Sequence, residues 1–187
     1  MKIPRNRKHL LDMINGCIEN DSSENLRFYL TFFRSKFFAP KDMDTLKKEF
    51  PDLLSDSVSK FKPECSKYLH SLGFTTNPYN VLLKKSKIQK VQEVYNLLIE
   101  LGYEISDDIV DKISLRILEP SKIEANKTRI DTALNLISSG FLSEERFEIV
   151  LNKLIVDTKN KKFESNIKIF ARDFKLKKLL NELDTNS

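Results

Sequence analysis

The sequence is poor in the residues from which catalytic and metal sites are most often built. Its 187 residues include two histidines, two cysteines and four glycines, and there is no tryptophan. His9, His70, Cys17 and Cys65 do not stand at the short intervals that chelate zinc, and the chain has no Gly-rich phosphate loop and no GxSxG motif. We therefore expect a protein that is not an enzyme and has no metal site, no cofactor and no small-molecule substrate.

The scarcity of cysteine and of long apolar runs bears on the compartment. Two distant cysteines do not form the dense framework of a small secreted domain, which favours an intracellular, reducing compartment. Cys65 shares a helix face with Leu69 and Leu72, so we expect a buried thiol. No apolar run approaches the ~18 to 20 residues that cross a bilayer, so we expect no membrane partner. The opening MKIPRNRKHLL is basic, which is compatible with organelle import; the alternative is a frayed basic terminus.

Charge, in contrast, is abundant and unevenly distributed. Lys and Arg number 32 against 27 Asp and Glu, which gives a net charge of +5 and permits an anionic partner. Residues 153–178 contain nine basic and three acidic side chains, a local net charge of +6, so the rest of the chain carries about −1. Lysine supplies 24 of the 32 basic residues, and it is less suited than arginine to bidentate phosphate contacts.

Within this basic C-terminal region, four side chains follow a helical spacing of i, i+7, i+11 and i+14. They are Lys161, Lys168, Arg172 and Lys175. On a continuous helix these positions form one stripe, and Ile167, Phe170 and Phe174 face inward. Such a stripe can neutralise phosphates and release counterions without reading bases. The alternative is a solvated lysine face that has no partner.

A second basic cluster consists of Lys84, Lys85, Lys87 and Lys90, with Tyr79 and Tyr95 nearby in sequence. Lysines beside exposed tyrosines offer both charge and a surface on which bases stack. The alternative is that the lysines mark a helix start and the tyrosines belong to the core.

Apolar residues recur with helical periodicity, and sustained strand alternation occurs nowhere. The predicted inward faces are Ile88, Val91, Val94, Leu98 and Leu101; Ile109, Ile113 and Ile117; Ile130, Ala133, Leu134 and Ile137; and Phe147, Val150, Leu151, Leu154 and Ile155. Residues 41–50 and 52–60 read as short helices separated by Pro51, and 24–38 as a helix buried from several directions. We predict an all-α protein of eight to ten helices and no sheet.

Three of the four glycines follow a leucine-rich run and precede an aromatic residue. The stretches are YLHSLGF (68–74), LLIELGY (97–103) and NLISSGF (135–141). Glycine in the left-handed conformation ends a helix, while Ser106 and Ser143, each followed by two acidic residues, begin the next one. After Gly73 the following helix is expected to be short or missing. The spacing predicts helical hairpins in one domain over 1–187, with loose ends at 1–8 and 183–187.

Three segments share a proline, a short apolar helix, a basic turn and L-x-x-x-G-aromatic. They are FPDLLSDSVSKFKPECSKYLHSLGF, NPYNVLLKKSKIQKVQEVYNLLIELGY and EPSKIEANKTRIDTALNLISSGF. Over residues 50–155 this pattern resembles the three-helix repeat of the mitochondrial transcription termination factor family. LGYEISDDIVDKISLRILEP (101–120) resembles that family's link between repeats. The resemblance implies a superhelical all-α fold with a basic concave surface, nucleic-acid binding or a role around organellar ribosomes, no catalysis, and a mitochondrial or other organellar location.

The repeat interpretation predicts a short, solenoid-like stack of helical hairpins. The alternative is an ordinary helical domain whose helices end in Gly followed by a packed aromatic residue. Two functions fit either architecture. The first is binding of the RNA or DNA phosphate backbone, and the second is a protein-interaction adaptor that uses an apolar groove between hairpins. An exposed patch at Phe37 and Phe38 would favour the second.

Overall fold

The computed structural model describes residues 3–36, 43–83, 88–118, 126–157 and 168–175. They form the helices α1 (Arg7–Glu19), α2 (Ser23–Lys36), α3 (Met43–Glu49), α4 (Leu53–Ser59), α5 (Pro63–Ser71), α6 (Pro78–Leu83), α7 (Ile88–Glu100), α8 (Asp107–Leu118), α9 (Asn126–Ser138) and α10 (Glu144–Asp157). Residues 168–175 are also helical and are called the C-terminal helical segment below. No strand occurs in the described ranges, so the all-α prediction is confirmed, with one helical segment more than the eight to ten predicted.

The chain divides into two compact units. Unit 1 comprises Met1–Lys85 and Glu93–Glu104, and unit 2 comprises Ser86–Gln92 and Ile105–Ser187. Helix α7 contributes residues to both units, and its predicted inward positions Val91, Val94, Leu98 and Leu101 are buried. The solenoid-like stack and the single domain over 1–187 stay predictions. The loose N-terminal end predicted over 1–8 overlaps α1, which already begins at Arg7 behind the capping side chain of Asn6.

In unit 1, α1 and α2 pack as a hairpin, α2 packs on α5, and α4 packs on both α5 and α6. Pro51 separates α3 from α4 as predicted. Helix α2 buries Leu26 and Leu30, whereas Arg27 and Thr31 are exposed. The prediction that this helix is buried from several directions is therefore wrong for its described side chains. They have an inward face and a solvated one, as an amphipathic surface helix does.

The turns that follow α1 and α4 interlock in unit 1. The Asp21 carboxylate accepts hydrogen bonds from the backbone N–H groups of Glu64 (3.3 Å) and Cys65 (3.0 Å), in the first turn of α5. In return, the Lys62 ammonium donates to the backbone carbonyl of Glu19 at the end of α1. The Lys60 ammonium binds the Glu19 carboxylate and, by hydrogen bond and charge, lowers the pKa of Glu19. Each turn thus satisfies a helix end of the other hairpin.

The helix-ending glycines predicted from the sequence are confirmed. Gly73, Gly102 and Gly140 have φ of +80°, +81° and +77°, and each lies just beyond the end of a helix. Helices α8 and α10 begin at Asp107 and Glu144, directly after the predicted capping serines. The helix after Gly73 is short, as expected, because α6 has only six residues.

In unit 2, α8 packs on α9 and α10. Helix α10 buries the predicted Phe147, Val150, Leu151 and Leu154. Helix α8 does not present its predicted face, because Ile109 and Ile117 are only half-buried. Its buried residues are Val110, Asp111, Ile113, Ser114 and Leu118. The inward face of α9 likewise includes Leu136, which the spacing rule had left out.

Candidate nucleic-acid interface

The C-terminal helical segment is anchored in unit 2 by its aromatic residues. Phe170 and Phe174 are 2% and 3% exposed, as the helical spacing predicted. The Phe174 ring lies 4.4 Å from the Phe147 ring of α10 and 6.3 Å from the Phe170 ring, measured between centroids. Ile167, the third predicted inward residue, lies outside the described residues. Because both rings are buried, the opposite face of the segment is fixed toward solvent.

That opposite face is basic. Lys168, Arg172 and Lys175 are all exposed. At 100° per residue the three positions fall within an arc of about 60°, and at 1.5 Å per residue they span about 10 Å along the axis. The structure therefore brings three of the predicted binding residues together on one surface, called the basic face below. Lys161, the fourth member of the predicted stripe, lies outside the described residues.

Arg172, on the basic face, has an acidic neighbour in Asp173. The Nε and Nη2 groups of Arg172 both donate to Oδ1 of Asp173, at 3.0 Å and 2.9 Å. The side chain of Arg172 is 69% exposed and that of Asp173 is 33% exposed. An ion pair this accessible is weak, because water competes for both partners. Arg172 therefore remains accessible to a phosphate.

Lys153, which begins the basic C-terminal region, has a different role. Its ammonium lies 3.0 Å from Oδ2 of Asp111 in α8. Oδ1 of the same carboxylate accepts from Nε (3.1 Å) and lies 3.0 Å from Nη2 of Arg146. Only 4% of the Asp111 side chain is exposed. Lys153 is thus engaged in joining α10 to α8, and part of the local charge of +6 serves the fold.

The second predicted cluster is not placed by the structure. Lys84, Lys85 and Lys87 lie outside the described residues, and so does the side chain of Lys90. Tyr79 and Tyr95, the two rings proposed for stacking, are half-buried. Half-buried rings offer less face to a base than the prediction assumed.

Unit 1 contains a cleft of about 830 Å³ between the start of α4 and the 75–83 stretch. Its walls carry hydroxyls and amides, and Asp52 is the only charged residue among the described ones that line it. In this wall the Ser55 and Thr76 hydroxyls lie 2.6 Å apart. The described lining residues include no cation to bind a phosphate, so they do not extend the basic face.

The described residues contain no group of three or more His, Cys, Asp or Glu side chains arranged to hold a metal ion. Within the same ranges, no helix has the length and apolar character needed to span a membrane. No protein-family model matches the chain, and no curated protein or solved structure matches it significantly.

Proposed function

We propose that this protein binds the phosphate backbone of nucleic acid through the basic face of its C-terminal helical segment. The observation that carries the proposal is the exposure of Lys168, Arg172 and Lys175 together, on a helix whose other side is held by two buried phenylalanines. A fixed row of cations exchanges counterions for phosphates at little conformational cost. A solenoid-like stack over 50–155, similar to the repeats of the mitochondrial transcription termination factor family, belongs to the same proposal.

The expected contact is with phosphates and not with bases. The aromatic rings of the described segment are both buried, so they offer no surface on which a base can stack. Lysine is a point charge that follows a phosphate without geometric demands. Three phosphate contacts with full counterion release set a limiting log–log salt slope of about −2.7 for duplex DNA and about −2.1 for a single strand.

The test is a fluorescence-anisotropy titration of labelled RNA and DNA at 50 mM and 200 mM salt. For duplex DNA, this limiting slope gives a loss of affinity of up to about 40-fold across this range. The triple variant Lys168→Glu, Arg172→Glu, Lys175→Glu should lose binding at the lower salt concentration while its far-UV circular dichroism stays helical. Unchanged affinity of this variant would overturn the assignment of the basic face.

A matched control variant distinguishes the effect of the basic face on binding from the effect of overall net charge. The variant Arg27→Glu, Lys48→Glu, Arg116→Glu changes three exposed residues on α2, α3 and α8. Both triple variants carry a net charge of −1 in place of +5. The control should bind within a few-fold of the wild type. Equal losses in the two variants would mean that overall charge, and no particular surface, attracts the nucleic acid.

The alternative function is a protein adaptor with an apolar groove. Phe37 and Phe38, on which that interpretation depends, lie outside the described residues. The exposed isoleucines that are described, such as Ile99 and Ile149, lie on different helices. An adaptor would retain no nucleic acid at low salt, and its protein complex would respond little to ionic strength.

A further inference from the structure

The C-terminal helical segment carries one acid among its eight described residues. It is Asp173, which lies directly after Arg172. Every other charged residue described in the segment is basic. A lone carboxylate beside a surface proposed to bind phosphate lowers the charge of that surface from +3 to +2. Asp173 is therefore the described residue most directly opposed to the proposed function.

The geometry of the pair makes the carboxylate a competitor for one group in particular. Nε and Nη2 form one edge of the guanidinium, and both donate to Oδ1 of Asp173. That edge is also one that grips a phosphate oxygen or oxygen pair in bidentate recognition. A phosphate that uses it has to displace the carboxylate. The segment contains no second described acid that would hold Arg172 instead.

We propose that Asp173 acts as an internal substitute for phosphate, which occupies one edge of the Arg172 guanidinium in the free protein and is displaced when a backbone phosphate takes its place. This inference rests on the proposed function. Binding then exchanges one ion pair for another at Arg172, so this residue contributes less affinity than its exposure suggests. Asp173 is a positioning residue that restrains binding, and Lys168 and Lys175 supply the initial attraction.

The first experiment compares Asp173→Asn with the wild type in the anisotropy titration at 50 mM salt. Loss of the carboxylate should tighten binding by about two- to five-fold, in line with the strength of exposed ion pairs. The salt slope should also steepen, because Arg172 then contributes fully to counterion release. Glu104→Gln is the control, since it removes one exposed acid from unit 1 and changes the net charge equally. It should leave both quantities unchanged.

A double-mutant cycle then separates release of Arg172 from a general effect of charge. In an Arg172→Ala background, Asp173→Asn should lose most of its effect on affinity. An equal gain in both backgrounds would overturn the inference, because the carboxylate would then act on the bound phosphates and not through Arg172. Weaker nucleic-acid binding by the Asp173→Asn variant would also overturn the inference, because Asp173 would then orient Arg172 toward the bound phosphate.

The outcomes for the two proposals remain distinguishable. If wild type and Asp173→Asn bind nucleic acid with the same affinity and slope, only the role of Asp173 is overturned. If the wild type binds neither RNA nor DNA at 50 mM salt, the proposed function itself fails. Both substituted side chains are in contact with solvent, so circular dichroism and thermal unfolding should match the wild type in every variant of the cycle.

Discussion

Asp111 carries its charge inside unit 2, where Arg146 and Lys153 occupy both of its carboxylate oxygens. Burial of a carboxylate costs several kcal/mol unless cations and hydrogen bonds replace its water. The two cations keep part of their own hydration, because their side chains are 26% and 46% exposed. Removal of either cation should therefore destabilise the fold by more than the exposure of that cation indicates, because the Asp111 carboxylate stays buried with fewer partners.

Arg146→Met should lower the free energy of unfolding by about 1–3 kcal/mol, because Asp111 loses two charge-assisted hydrogen-bond donors while remaining buried. Urea denaturation measures the change. Arg116→Met, at an exposed position of α8, should stay within about 0.5 kcal/mol of the wild type. Equal effects at the two positions would show that the pairing with Asp111 contributes nothing specific.

In unit 1, burial raises the pKa of both cysteine thiols. Burial raises the pKa of Cys65 to about 12, with a further contribution from the nearby Asp21 carboxylate, and burial also raises the pKa of Cys17. The Cys65 thiol is fully buried and points to the backbone carbonyl of Cys17, 3.6 Å away. The sequence predicted this burial from the positions of Cys65 and Leu69 on one helix face.

Alkylation by iodoacetamide should therefore be slow for Cys65 and should not accelerate between pH 7 and pH 9, since the reactive thiolate is absent there. Mass spectrometry follows the reaction, with the denatured chain as reference. The Cys65 thiol keeps its proton to a higher pH in the folded state than in the unfolded state, where its pKa is near 9.0. The stability contributed by the neutral thiol is present below pH 9 and is lost as the pH rises toward 12. Rapid modification of the folded protein at pH 8 would contradict the burial.

Helix α8 illustrates where inference from single residues stops. Ile109, Ile113 and Ile117 follow helical spacing, and so do Val110, Ile113 and Leu118. Periodicity alone does not choose between two faces that differ by one position. The fold buries the second set, and Asp111 and Ser114 with it. The Ser114 hydroxyl is buried without a hydrogen-bond partner among the described atoms, a position that no polarity rule selects.

At the scale of the elements, helix ends are the best-predicted feature. Glycine positions and capping serines gave the ends of α5, α7 and α9 and the starts of α8 and α10, because these signals are local. Asp21 and Phe61 also adopt positive φ, at 50° and 51°, without being glycine. The sequence did not predict the positive φ at either residue; at Asp21 the conformation is held by contacts between hairpins.

Two glycine substitutions should have opposite effects on stability. Gly16 lies inside α1, and Gly102 follows α7 with a φ of +81°; an added Cβ meets nothing within 4 Å at either position. Gly16→Ala should raise the free energy of unfolding by about 0.5–1 kcal/mol, through helix propensity. Gly102→Ala should lower it by about 1 kcal/mol, because alanine resists the left-handed conformation. Effects of the same sign in thermal unfolding would contradict the assigned backbone conformations.

Asp21 lies just beyond the end of α1 and caps the first turn of α5. Asp21→Ala loses the cap of α5 and also retains a Cβ at positive φ, so it should destabilise the protein by about 1–2 kcal/mol. Asp21→Gly loses only the cap and should be less harmful. Asp12→Ala, at an exposed position of α1, is the control. Identical stabilities of the Gly and Ala variants would show that the backbone at this position is not strained.

At the scale of the whole molecule, the sequence predicted the helical class and the uneven distribution of charge. The all-α class followed from periodicity and from the absence of strand patterns, and it is confirmed for the described residues. The +6 of residues 153–178 was also visible in the sequence. The engagement of Lys153 by Asp111 was not, because it depends on how α8 and α10 meet.

Contact with phosphates alone has a consequence for selectivity. Duplexes of unrelated sequence and equal length should bind within about two-fold of one another, because the buried Phe170 and Phe174 cannot read or stack on bases. Competition titrations with unlabelled duplexes measure this. A preference of ten-fold or more for one sequence would show that residues beyond the basic face contact base edges.

The division of the chain described earlier has a consequence for its synthesis. Unit 1 takes its last stretch from Glu93–Glu104, while Ser86–Gln92, made just before, belongs to unit 2. During translation the first unit therefore cannot finish until Glu104 has left the ribosome. A gene fragment that ends at Lys85 would encode an incomplete unit 1, and one that begins at Ile105 would lack the Ser86–Gln92 stretch of unit 2.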